Sequence, residues 1–266
     1  MTSNMKHRFL LPALIFLGSV LLENVAAQPP GPPQPPRSPK TAAPVDFTGY
    51  WVSVISEDWR WRMVTPIKGD FASVPLNAEG QRVGNRWDPA KDEAAGLACK
   101  SYGAAALMRV PGRVHISWED DNTLKVEADS GTQTRLFHFT GKMPEGQTAS
   151  WQGYSAANWE RAPRGVEIPD PFPIFATRAG TKGRSLEVVT TNLSAGYLRK
   201  NGVPYSASTR LEEYYDYHKE PNGDEWFTVT TIVNDPVYLA GPFITSSDFK
   251  KQRDAAGWDP SPCTAK

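Results

Sequence analysis

Between residues 113 and 139, apolar and polar side chains alternate almost without a break, and this period of two is the clearest structural signal in the chain. Val114, Ile116 and Trp118 alternate with His115 and Ser117, and Leu124, Val126 and Ala128 alternate with Lys125 and Glu127. Turn residues at Glu119-Asp120-Asp121-Asn122 and Ser130-Gly131 separate these runs from each other and from a third at 134–139. Successive strand side chains point to opposite faces, so the region reads as a three-strand meander with one buried face. Further strands are expected at 46–54, 59–64, 149–154, 185–193, 209–217, 225–233 and 243–250, with Pro221-Asn222-Gly223-Asp224 as a hairpin turn. Helical composition is confined to 76–86, where Gly80 and Gly84 weaken it; 88–96 reads as a loop, and four prolines make 163–175 an irregular rim or lid.

These elements predict an all-β fold, an antiparallel barrel with one short helix, with a β-sandwich as the alternative. The strands around 186–191 and 226–233 carry apolar residues on both faces. A ligand-holding barrel has a greasy inner face, which favours the barrel, with an apolar or aromatic cavity.

The first 27 residues change the setting. Lys6, His7 and Arg8 form a basic head, 9–22 a greasy run and Val25-Ala26-Ala27 a small-residue exit, the pattern of a signal peptide cleaved before Gln28. The run is shorter than the roughly 20 residues that span a bilayer, so no transmembrane segment is expected in the mature chain, and a periplasmic or secreted location is. Residues 28–44 hold eight of the chain's 24 prolines and almost no large apolar side chain, which predicts a disordered spacer ahead of a single domain at 45–266. Two cysteines in an exported chain favour a structural disulfide between Cys99 and Cys263, the alternative being two unpaired thiols. Basic and acidic residues balance at 29 each with no basic stripe, so the chain carries no footprint for nucleic acid.

The opening phrase Asp46-Phe47-Thr48-Gly49-Tyr50-Trp51 resembles the G-x-W signature of lipocalin-like barrels, which implies that Trp51 closes a barrel floor. Residues 59–66 (WRWRMVTP), 196–204 (GYLRKNGVP) and Asn234-Asp235-Pro236 resemble an uncharacterised family of exported bacterial proteins, which implies a periplasmic setting and no particular activity.

Chemistry is sparse. No H-x-x-x-H, H-x-H or C-x-x-C occurs, so no metal site is expected, and the absence of G-x-S-x-G, P-loop and G-x-G-x-x-G phrases leaves no cofactor and no familiar hydrolase or nucleotide site. His138, flanked by Phe137 and Phe139, and Glu213, which shares a strand face with Tyr215 and Tyr217, are the candidates for general acid–base work. Nine tryptophans and nine tyrosines suit an apolar or aromatic ligand. Trp59, Trp61, Trp151, Tyr154 and Tyr215 are the expected walls, and Arg135 and His138 the polar anchors, of which only one need face inward because they lie three apart on a strand. The expected function is binding of a small apolar or aromatic molecule inside the barrel. An acid–base lyase, isomerase or hydrolase in the same cavity is one alternative, and a cell-envelope interaction protein using the proline spacer is another.

Overall fold

The computed structural model describes residues 37–160 and 185–265. Among them are eleven strands: β1 (Gly49–Val54), β2 (Arg113–Trp118), β3 (Thr123–Ala128), β4 (Gln133–His138), β5 (Tyr154–Trp159), β6 (Ser185–Thr191), β7 (Gly196–Arg199), β8 (Val203–Tyr205), β9 (Arg210–Lys219), β10 (Glu225–Asn234) and β11 (Phe243–Lys251). The helices are α1 (Trp59–Arg62), α2 (Ala78–Gly84), α3 (Pro89–Ala94), a 3-10 turn at Ala98–Tyr102 and α4 (Ala104–Leu107). Nine strands close into a barrel in the order β1-β11-β10-β9-β6-β5-β4-β3-β2, while β7 and β8 pair separately. Strand direction cannot alternate all the way round an odd ring. The exception falls at β4 and β5, which run parallel with Phe137 opposite Ser155 and His138 opposite Ala156.

The β2–β3–β4 meander and the β9–β10 hairpin stand where the alternation predicts them. Inward residues along the wall, among them Ile116, Val126, Phe137, Val188, Phe227 and Phe249, form one core. Phe47 enters the end of the barrel, stacks on Trp159 and meets Tyr215 and Phe227 edge-on, and its carbonyl accepts from the indole Nε1 of the buried Trp51 at 2.8 Å.

Three local expectations are corrected. Residues 59–64 form the single-turn helix α1, because W-R-W-R is too short to separate a period of 2 from one of 3.6, and the amides of Trp61 and Arg62 bond back to Asp58. Asp88 accepts from the amides of Ala90 and Lys91 with Pro89 in the first turn, so 88–96 starts with a helix, α3. The strand expected at 149–154 begins at Tyr154, because Gly153 bonds back to Ser150 with a positive φ and ends a turn there. The helix expected at 76–86 forms as α2. Its Gly80 permits a close approach, since a Cβ there would collide with the Tyr238 carbonyl.

Two insertions build a cap. The segment between β1 and β2 supplies every helix of the described residues, and the segment between β6 and β9 supplies the β7–β8 hairpin; α2 packs on β8, and α4 and the 3-10 turn on β7. A second core of Leu76, Ala105, Leu198, Val203 and Tyr205 joins them to Leu211, Val233 and Phe243 at the barrel end opposite Phe47. Asp235 pins the cap by accepting from the Ser206 and Thr209 hydroxyls and from the amides of Val237 and Tyr238. Cys99 and Cys263 lie at disulfide distance, S–S 2.07 Å, tying the C-terminal tail to the cap.

Of the segment read as spacer, 37–44 lies against the barrel: the Trp159 indole donates to the Pro39 carbonyl, and Ala43 packs on the core. The expected signal sequence, 28–36 and the whole of 163–175 lie outside the described residues.

Candidate functional site

The barrel interior expected to hold a ligand is filled by side chains. At its middle Arg135, fully buried, makes a two-pronged ion pair with the equally buried Glu213, Nη1 to Oε1 at 2.9 Å and Nη2 to Oε2 at 2.5 Å. Nη2 also donates to Thr190 Oγ1 at 3.2 Å, and the Tyr215 hydroxyl donates to Glu213 Oε1 at 3.3 Å. Burial alone would push the Arg135 guanidinium down, but Glu213 holds it well above its ordinary value, while burial pushes the Tyr215 hydroxyl far up. A carboxylate with both oxygens committed to a guanidinium is a structural anchor and a poor general base.

His138 does not meet Glu213. Arg135 and Phe137 are the inward residues of β4, so His138 points outward, half-buried, and stacks on Tyr154 with centroids 4.8 Å apart. Partial burial pushes its imidazole below the ordinary value, with Asp120 opposing. The two residues expected to act together therefore sit on opposite faces of the wall, because alternation along β4 turns His138 away from Arg135, the residue that holds Glu213 inside.

The expected aromatic walls scatter likewise. Tyr215 packs in the core against Phe137 and Phe227, and Tyr154 faces outward. Trp151 lies in the turn before β5 with its indole on the Ala195 carbonyl. Trp59 is exposed on α1 because a helical turn rotates successive residues around its axis. Trp61 lines a cavity, and that cavity lies outside the barrel.

This cavity, about 400 Å³, lies at the seam between the barrel core, which contributes Tyr102 and Val110, and the cap core, which contributes Leu198. α1 and the residues after it form one wall, the end of β7 another, and Ser261, Pro262 and Thr264 of the disulfide-tethered tail a third. Three lining arginines are nine-tenths or more buried: Arg62 (8% exposed), Arg109 (5%) and Arg199 (4%). Arg62 Nε donates to the Arg109 carbonyl at 2.9 Å, Arg109 Nη2 to Asp58 at 2.9 Å and Arg199 Nη1 to the Ala72 carbonyl at 2.7 Å. The other two nitrogens of each, Nη1 and Nη2 of Arg62, Nε and Nη1 of Arg109, and Nε and Nη2 of Arg199, have no hydrogen-bond partner among the described residues. Lys200 adds a fourth cation beside the Tyr102 ring.

The electrostatics match the geometry. Burial first, and the Arg109 charge second, push Arg62 and Arg199 down to about 10. Glu57 attracts Arg62 and Arg109 through its charge, while its own Oε1 is buried without a hydrogen-bond partner among the described residues. Asp58 serves Arg109, Asp70 bonds Arg60 and Trp61, and Asp248 bonds Ser56 and Thr228, so none of the nearby carboxylates bonds the six free nitrogens. The Trp61 ring lies under Arg199, 5.0 Å from its guanidinium carbon, and Phe243 lies under Arg109 at 5.5 Å, so flat aromatic faces hold the arginines in place. Forked, charged donors facing a hollow suit a carboxylate, phosphate or sulfate group.

Sequence reasoning missed Arg109, Arg199 and Lys200, and put Arg62 in an expected strand at 59–64 without a role in the site. Each is an ordinary cation locally, and only the two insertions bring them together. The available signal was a pair of phrases in which arginine sits between large apolar residues: WRWRMV holds Arg62, and GYLRKNGVP holds Arg199 and Lys200.

Fold and site together define a closed β-barrel with a helical and hairpin cap and a cationic cavity between them. Compared with protein-family models, curated proteins and solved structures, the chain matches none. Among the described residues, no helix is long and apolar enough to cross a membrane, and no group of three or more His, Cys, Asp and Glu side chains gathers to hold a metal ion.

Proposed function

We propose that this is an exported binding protein that takes a small organic anion into the cavity between barrel and cap. The observation that carries the reading is the set of three buried arginines whose six free nitrogens face no partner among the described residues. An unpaired buried charge is costly, and a bound oxyanion removes that cost by supplying both the countercharge and the acceptors. The cavity's size falls within the range of small-molecule sites, and its lining mixes Trp61, Val64 and Leu198 with the cations, which suits an organic anion. Export is supported by the leader pattern and by the Cys99–Cys263 pair, which suits an oxidising compartment. Binding is favoured over turnover because Glu213 and His138, the acid–base pair, stand apart and away from this cavity.

Calorimetric titration with inorganic phosphate and with benzoate, at low salt, tests the proposal. Saturable binding of one or both is expected. Arg62→Met/Arg199→Met should weaken it by about 100-fold, as expected for losing two charge-assisted contacts. Equal affinity in wild type and double variant, or no binding of any oxyanion, would overturn it.

A further inference from the structure

We infer that the anion is amphipathic, with its head among the arginines and a single apolar tail lying along residues 59–67. This rests on the anion-binding reading of the cavity and names the rest of the ligand.

Four large apolar side chains stand in the open within nine residues: Trp59, Met63, Val64 and Ile67, between 59% and 80% exposed. The other exposed large apolar residues among the described ones, Leu136, Met143, Val237 and Ile244, are spread over more than a hundred positions, and only Ile244 is as exposed as the cluster. Isolated exposed apolar residues are ordinary, but a cluster of this kind marks a surface that something covers. Two of the four, Met63 and Val64, line the cavity itself, and Trp59 and Ile67 flank them along the chain.

The two features select one occupant by complementarity. A bare inorganic anion satisfies Arg62, Arg109 and Arg199 and leaves the apolar strip in water. A neutral apolar molecule covers the strip and leaves the guanidinium groups without acceptors. A monomeric alkyl carboxylate or alkyl phosphate satisfies both at once: the forked donors take the head, and the strip takes the methylenes leading out over the rim. The strip is one short segment of chain, which fits one tail. The same chemistry exists as free amphiphile and as membrane lipid, and the occupant inferred here is the free molecule.

A chain-length series tests this: inorganic phosphate, butyl, octyl and decyl phosphate, all below their micellar concentrations, titrated into the full mature protein. Affinity should rise with chain length, by up to about fourfold for each methylene that leaves water. Trp59→Ser/Ile67→Ser changes two exposed side chains off the cavity lining. It should keep the wild-type affinity for inorganic phosphate and lose the gain from butyl to decyl phosphate. If inorganic and decyl phosphate bind equally well, the anion site stands and the amphiphile is overturned. If none of the series binds, the anion-binding reading itself falls. If anionic phospholipid vesicles capture the protein while decyl phosphate gains nothing over butyl phosphate, the strip meets a membrane and the single-molecule proposal is overturned.

Discussion

Four arginines are buried among the described residues, and they fall into two opposite situations. In the barrel core Arg135 is matched by Glu213, Thr190, Ser155 and, through Glu213, Tyr215, so that only its Nε lacks a partner. At the seam between barrel and cap, Arg62, Arg109 and Arg199 share Asp58 and two carbonyls, and two nitrogens of each are unmatched. The consequence appears in acidity: the Glu213 charge drives Arg135 up against the effect of burial, whereas Arg62 and Arg199 go down to about 10. Desolvating a guanidinium costs the same kind of free energy in both places. Where the fold supplies the countercharge the arginine is architecture, and where it does not, the fold holds a cost that a ligand can remove.

Breaking the matched side has the largest effect. Glu213→Gln leaves Arg135 buried without its charge partner and should destabilise the protein by about 3–5 kcal/mol in urea unfolding. Replacing both partners, as Arg135→Met/Glu213→Leu, should recover most of that loss or exceed wild type, since two apolar side chains need no countercharge. A single variant as stable as wild type would mean that water reaches the pair, and the contrast with the seam would disappear.

The seam should respond in the other direction, and more modestly. Arg199→Met removes an unmatched charge but also the donor to the Ala72 carbonyl, so a net gain of about 1 kcal/mol is expected in the same measurement. The sign with pH follows from the lowered acidity constant. The folded state holds the Arg199 proton less tightly than the unfolded chain, so the penalty is present throughout the range below about 10 and fades only above it. The variant's advantage should therefore be constant across neutral pH and shrink when a tightly bound anion is added. A loss of stability in Arg199→Met without ligand would show that the seam arginines are already matched.

The two regions also differ in how far they could be read from the chain. The barrel was legible because its signal is periodic: β2, β3, β4, β9, β10 and β11 alternate, and turns such as the one at Asn222-Gly223 announce themselves. Periodicity shows which residues share a face of a strand. It does not show whether the enclosed space is hollow, and so it put Glu213 and Tyr215 on one face while leaving open whether Arg135 or His138 faced inward and whether Arg135 and Glu213 bond one another. The cap was opaque because it is made of single-turn helices and a three-residue strand, too short to carry a period, set in two insertions separated by the whole β2–β6 wall. Its arginines meet through topology alone. The phrases at 59–66 and 196–204 nevertheless belong to it and line the cavity, and Asp235 of the phrase at 234–236, just past β10, fastens the β8–β9 turn to the barrel. Their unusual mixture of Trp, Arg, Gly and Pro was the sequence mark of a non-periodic region.

A smaller effect sharpens the same contrast on the outside of the wall. His138 is half-buried against Tyr154, and its imidazole is pushed below the ordinary value by that burial, with Asp120 pulling weakly the other way. The folded state therefore binds this proton less readily than the unfolded chain. As pH falls through about 6.5, the unfolded chain takes up the proton first and the fold loses stability, until the folded-state value is reached and the difference levels off. Compared with His138→Phe, which keeps a ring for Tyr154 and removes the titration, wild type should lose ground on acidification, by less than either arginine effect because the ring is half in water. The opposite slope, wild type gaining on acidification, would mean that a carboxylate holds the imidazolium, the arrangement an acid–base pair would need. His138 would then belong with Arg135 among the matched charges instead of standing alone on the outer face.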